Sequence, residues 1–232
     1  MRRALLVVLA LVAAGCGSTK CQSQCATVWI TRDRGAHVLH VAKVKAGLSA
    51  MQGVAAIGKV ETTFGGRYLR SVDGVAEHGQ DAWFYYVNGY LADRGSTDYR
   101  LRAGDVLWWD YRSWRDPAQD PVVVGAFPEP FLHGYAGKRR PVAIVYVGPA
   151  RRRGALALGH VLHTRFVRPD GATLPKGANV LLLTPAVGGV LRFEQTSTPL
   201  PGPGGAVFFT FSGDPLKLAR HPRMFRFRYS VP

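Results

Sequence analysis

The chain has 232 residues and carries 30 Lys plus Arg against 15 Asp plus Glu, a formal net charge of +15. That length suits one large domain or two small ones. Beyond the first fifteen residues no stretch is apolar for long enough to span a bilayer, so only the start of the chain offers a membrane signal.

That start has a recognisable architecture. Arg2 and Arg3 precede an apolar run from Ala4 to Ala14 that ends in small residues, the pattern of a signal peptide. The run is too short for a permanent transmembrane helix, which needs about 20 apolar residues. Val12-Ala13-Ala14-Gly15-Cys16 resembles the bacterial lipobox, which implies a signal peptide over 1–15 and lipid on Cys16. An ordinary secretory signal is the competing reading. With Cys16 acylated, only Cys21 and Cys25 remain, and an even pair outside the cytosol points to one disulfide in the tether, 16–26. A zinc site would need about four ligands, and no second pair lies nearby. From Gly17 to Ala26 the tether reaches roughly 30 Å when extended.

Charge and tryptophan divide the rest of the chain. Residues 21–120 hold 12 Lys plus Arg against 11 Asp plus Glu, whereas 121–232 hold 15 against 4. All five tryptophans, Trp29, Trp83, Trp108, Trp109 and Trp114, fall in the first half. The crossover, Arg115-Asp116-Pro117-Ala118-Gln119-Asp120-Pro121, reads as a linker between domains at 27–116 and 121–232.

In the first of these, Thr27 to Thr31 and Ala36 to Val44 predict a hairpin around the turn Arg32-Asp33-Arg34-Gly35. Leu48, Met51, Val54, Ala55 and Ile57 recur at helical spacing, with Ser49 as cap. Strands follow at Arg67 to Val72, Trp83 to Val87 and Val106 to Tyr111, with turns at Asp73-Gly74, Asn88-Gly89 and Gly104-Asp105. The order is ββαβββ, an α+β arrangement for which a β-grasp-like sheet crossed by one helix is the natural packing. Asp73-Gly74 and Asn88-Gly89 are explained by turn geometry.

Within this segment Ser71-Val72-Asp73-Gly74, Trp83-Phe84-Tyr85-Tyr86-Val87-Asn88-Gly89 and Asp98-Tyr99-Arg100-Leu101-Arg102-Ala103-Gly104-Asp105 occur in succession, the last running into Val106 to Tyr111. The combination resembles the DUF4430 family of extracytoplasmic β-grasp modules over about 27–114. That family is in turn similar to the C-terminal domain of the vitamin B12 carriers transcobalamin and intrinsic factor. The resemblance implies cobalamin, or another corrinoid, as a ligand. Those carriers hold it against a large helical barrel for which this chain lacks the length.

Period-two alternation sets Trp83, Tyr85 and Val87 on one face of their strand and Phe84 and Tyr86 on the other; Leu107, Trp109 and Tyr111 oppose Trp108 and Asp110. One helix covers one face. The remaining rings either pack on the C-terminal domain or form a surface for a flat ligand, and a stacking site would draw on Trp83, Tyr85, Tyr86 and Trp109.

The C-terminal half reads as a second small α/β domain: strands at Val142 to Val147, Asn179 to Thr184, Val190 to Gln195, Ala206 to Phe211 and Phe225 to Val231, with helices at Ala155 to Thr164 and around Leu216 to Arg220. Arg151, Arg152 and Arg153 just before a helix would hold an anion or lie against an anionic membrane. Nucleic acid is excluded by compartment. His160 and His163 stand about one helical turn apart without a third metal ligand, and no Gly-x-Ser-x-Gly elbow, phosphate-binding loop or His-Glu-x-x-His is present. Isolated acids such as Asp81, Glu129 and Glu194 offer no pair. The expectation is a non-enzymatic lipoprotein on the outer face of the cytoplasmic membrane. It captures a small flat ligand for a transporter, or it docks on an envelope protein and the membrane.

Overall fold

The structure is a computed structural model, and it describes residues 21–115, 120–185, 189–194 and 202–229. Cys16, the signal peptide and most of the linker 116–119 lie outside these residues.

The chain is mixed α+β. The first hairpin is β1 (Cys25–Arg32) and β2 (His37–Lys45), antiparallel, with a register shift between Ile30 and Thr31. A short helix follows, α1 (Ala50–Ala55), opened by a full capping box: Ser49 Oγ accepts from Gln52 N while Gln52 Oε1 accepts from Ser49 N. The chain then runs through β3 (Val60–Thr63), β4 (Tyr68–Val72), β5 (Val75–Ala76), β6 (Asp81–Val87), β7 (Tyr90–Leu91) and β8 (Val106–Ser113). Strands β3, β4 and β5 form a small sheet of their own, while the main sheet has the order β2-β1-β8-β6-β7 with β1 and β8 parallel. The sequence pattern identified the principal strands. It missed β3, β5 and β7, because elements of two to four residues carry too few alternations to register as strands.

Beyond the linker come α2 (Glu129–Leu132), β9 (Val142–Tyr146), α3 (Arg152–Val161), β10 (Val167–Pro169), β11 (Asn179–Thr184), β12 (Val190–Glu194), β13 (Phe208–Ser212) and α4 (Pro215–Arg220). Their sheet has the order β10-β9-β11-β13-β12, parallel except for β12. Helix α3 starts three residues before the expected Ala155, because Gly148 turns the chain at φ +79° and Pro149 enters a 3-10 turn that continues into the helix. The expected strand at Phe225 to Val231 is a correction as far as Tyr229, and its last two residues lie outside the described residues. Residues 225–227 are in a turn and Tyr229 in a bend instead, since Phe227 and Tyr229 pack on the aromatic face of the first sheet and the carbonyls of Arg228 and Tyr229 accept from Gly125 and Val124 rather than from a strand.

The two sheets are joined by a continuous apolar cluster. It includes Val28, Val54, Tyr85 and Leu107 from the first, Phe127 and Phe131 from the connection, and Ile144, Leu181 and Phe209 from the second. Polar side chains seal the same junction. Asn88, held at φ +50° in its turn, donates through Nδ2 to Asp105 Oδ1 (2.8 Å) and to Gly134 O (2.7 Å), and Asn179 Nδ2 donates to Pro130 O (2.9 Å).

Candidate functional site

The four aromatic side chains singled out from sequence occupy the two central strands, and none is open to solvent. Trp83 is 7 % exposed, Tyr85 9 %, Tyr86 0 % and Trp109 3 %. Antiparallel register sets Tyr85 opposite Trp109 and Trp83 opposite Tyr111. On that face Tyr85 and Trp109 stack at 4.8 Å with 29° between planes, and the Trp83 indole donates to Val75 O at 3.2 Å. The Tyr85 hydroxyl donates to Arg94 O, and burial pushes its ionisation far above the ordinary tyrosine value.

Tyr86 faces the other way, into a second cluster with Trp29, Trp108, Val123, Ala126 and Tyr229. What covers this second face is the chain's own C-terminal segment. Phe227 packs edge-on against Trp29 (4.9 Å) and Trp108 (6.2 Å), Tyr229 packs on Tyr86 (5.5 Å), and the Arg226 guanidinium lies 4.7 Å above the Trp29 ring. The segment is admitted by two glycines. Gly35 lies against the Phe227 carbonyl, and Gly125 N donates to Arg228 O at 2.7 Å. Below it Asp110 Oδ1 accepts from Thr31 Oγ1 (2.5 Å) and Gly35 N (3.1 Å). Burial raises the Asp110 carboxyl above its usual range, and raises Tyr229 well above 10. The packing of the rings on the helix side and on the C-terminal half accounts for all four residues.

The open concavity of the first sheet lies elsewhere, along its edge. Helix α1 sits over the sheet centre, where a Cβ at Gly53 would meet Leu101 and Leu107 at 2.9 and 3.1 Å. Having only six residues, it leaves most of β2 exposed or half-buried, with Val44 alone of that strand buried. The result is a groove of about 1390 Å3 lined by Ala42, Val44, Leu48, Ala56 and Ile57, with Lys43 and Lys45 on the strand and Cys21 to Ser23 at one end. Cys21 and Cys25 form a disulfide there, which fixes the end of the tether beside the groove. No acidic side chain lines it, and neither lysine has an ion-pair partner among the described residues. Sequence reasoning missed this groove, because it follows from where a short helix crosses a sheet and not from any motif.

The three arginines are separated by the fold. Arg151 belongs to the 3-10 turn and donates to Val147 O at 3.0 Å, while Arg152 and Arg153 are exposed in the first turn of α3. That turn has no acidic residue, so the helix dipole and two guanidiniums present positive charge together. Glu129, isolated in sequence, is buried and bridges His133 Nδ1 (2.7 Å) and Arg223 (2.9 Å). Its hydrogen bond raises the His133 pKa above 6.5. No group of three side chains suited to a metal ion occurs among the described residues, and no helix among them is long and apolar enough to cross a membrane.

No curated protein matches the chain. A family of domains of unknown function, DUF4430, matches residues 47–113, the stretch from the turn before α1 to the end of β8 that carries Trp83, Tyr85, Tyr86 and Trp109. The matched stretch, 47–113, is continuous in the main sheet with the β1-β2 hairpin and packs against a second sheet that lies outside the match.

Proposed function

We propose that the protein is a lipid-anchored, extracytoplasmic binding protein that takes its partner in the groove between β2 and α1. The observation that carries this reading is the groove itself, an apolar floor bordered by an edge strand whose two lysines have no ion-pair partner among the described residues, on a sheet whose aromatic faces are already filled. Ligand sites are concave, mostly apolar and marked by a few polar groups, and this concavity, formed by residues 21–23 and β2 together with Leu48, Ala56 and Ile57 of the matched stretch, fits the description. The lipobox-like start supplies the anchor, and the disulfide-closed tether ends at the groove.

A corrinoid, implied by the resemblance to the B12 carriers, is the first small ligand to test. The full-length protein in neutral detergent is titrated with cobalamin while its visible spectrum and tryptophan emission are followed. Saturable change that Ala56→Trp abolishes, by filling the groove, supports capture for a transporter; absence of change removes corrinoids. Cys16→Ala moves the protein from the detergent to the aqueous phase on detergent phase separation if lipid holds it, and unchanged partitioning refutes the anchor.

A second reading, docking on an anionic membrane, is favoured by the exposed Arg152 and Arg153 in a half carrying 15 basic against 4 acidic residues. Each basic residue near an anionic surface contributes about 1 kcal/mol. Vesicles containing phosphatidylglycerol bind the unlipidated protein at low salt in this reading, and release it as salt rises.

A further inference from the structure

The groove has a second property that a site for a small molecule does not need. Its outer wall is the free edge of a sheet. Strand β2 ends the order β2-β1-β8-β6-β7, and no strand pairs with its outer side among the described residues. Register shows which backbone groups are left over. Thr27 N donates to Asp105 O, away from β2, so the Lys43 opposite Thr27 directs its own N–H and C=O away from β1. By alternation Val41 and Lys45 do the same, while Ala42 and Val44 are bonded to β1. A row of three residues with unused hydrogen-bonding groups therefore borders the groove.

The same alternation sorts the side chains. Val44 and Ala42 line the apolar floor, whereas Val41, Lys43 and Lys45 stand on the face of their cross-strand partners Trp29, Thr27 and Cys25. Val41 is 44 % exposed, Val38 47 %, and β2 contains no proline. A strand laid against this edge would place alternate side chains beside Lys43 and Lys45, and the intervening ones over the groove floor. Lysines on an edge repel basic strands and make apolar ones a poor match, which narrows the partner to one bearing carboxylates.

Resting on the groove as the binding site, we propose that its partner is an extended peptide segment of another envelope protein, added to β2 as a strand. Acidic side chains at every second position meet Lys43 and Lys45, and small apolar ones between them drop toward Ala42, Val44, Leu48 and Ile57. This is recognition by strand addition, in which main-chain bonds supply affinity and alternate side chains supply specificity.

The test is fluorescence anisotropy with the full-length protein in neutral detergent and a labelled peptide of alternating Val and Asp. Saturable binding is expected. The double variant Lys43→Glu with Lys45→Glu should weaken it about tenfold or more, and should instead bind an alternating Val and Lys peptide. Methylating the backbone nitrogens of every second peptide residue should abolish binding in one of the two possible phases only. Equal binding of a scrambled peptide of the same composition, or indifference to methylation in both phases, overturns strand addition. A parallel titration with 8-anilinonaphthalene-1-sulfonate separates the two layers of the proposal. A dye site lost in Ala56→Trp, with no peptide binding, keeps the groove and overturns the peptide; no site for either overturns both. Unfolding midpoints of the variants establish that each is folded.

Discussion

Gly35→Ala tests whether the C-terminal segment is a fixed cover of the second aromatic face. Gly35 has φ +79°, where an L side chain costs about 1 kcal/mol. Strain is the smaller part of the effect. A Cβ at this position would lie far inside contact distance of the Phe227 carbonyl oxygen, 2.9 Å from its carbonyl carbon and 3.0 Å from Trp108 Cζ2. The obstacle is backbone, so no rotamer change relieves it. Either β1-β2 or the segment from Phe225 to Tyr229 must move, and the latter lies in no strand and is tied by backbone bonds from Val124 N to Tyr229 O and from Gly125 N to Arg228 O. Its displacement would open Trp29 and Trp108, now 2 % and 0 % exposed, and leave Asp110 and Arg112 uncovered. The combined loss should be roughly 3–5 kcal/mol. The control is Gly66→Ala, at φ +85° with nothing near its Cβ, which isolates the strain alone. Urea unfolding at neutral pH gives both values, and red-shifted tryptophan emission in native Gly35→Ala reports the uncovered rings. If the two variants lose the same stability to within about 0.5 kcal/mol, with unchanged emission, the segment is not a packed cover.

Four further expectations follow from the buried charges and the basic surface. Burial raises the Asp110 carboxyl in the folded state, so its contribution is fully favourable below the unfolded value of 3.8 and is lost as pH rises through the folded one. Asp110→Asn should therefore flatten the decline of the urea midpoint between acid and neutral pH, and an unaltered pH profile would refute this. His133, raised by its bond to Glu129, stabilises below 6.5 and ceases to do so as pH rises through its folded pKa; an NMR titration of the ring midpoint at or below 6.5 would contradict it. Glu129→Gln breaks both pairs of that carboxylate and should lower stability by roughly 1–2 kcal/mol, discounted because His133 and Arg223 are substantially exposed. The double variant Arg152→Glu with Arg153→Glu should weaken binding to phosphatidylglycerol vesicles about tenfold or more without altering the unfolding midpoint; equal binding would exclude this helix from the contact.

Much of the architecture was legible because long elements repeat a pattern. The alternation of Trp83 to Val87 and of Leu107 to Tyr111 assigned each ring to its face, and the structure places them so. Ser49 marked the helix start, and the structure shows it capping there by a local bond to Gln52 that needs no tertiary context. What covers the second face was not legible, since it depends on contacts between residues far apart in the chain, such as Trp29 with Phe227 and Tyr86 with Tyr229. Phe225 to Tyr229 has the composition of a strand, yet its hydrophobic side chains find the indoles of Trp29 and Trp108 before any strand partner. Glu129 looked isolated for the same reason: one of its partners, Arg223, is 94 residues distant.

The filling of the aromatic faces bears on where binding can occur. A sheet rich in Trp and Tyr suggests a stacking platform when only one helix is seen in the sequence. Here a 3-10 turn at Val124–Ala126 and the segment ending at Tyr229 complete the second layer, so the rings stabilise the union of the two halves. On the proposed reading the free chemistry lies at the margins: the outward amides of β2 without a strand partner among the described residues, the lysines beside them, and the apolar strip that α1 is too short to cover. Lengthening α1 would therefore be expected to abolish binding without touching any aromatic residue. Removing the C-terminal segment would be expected to destabilise the chain while leaving the β2 edge intact.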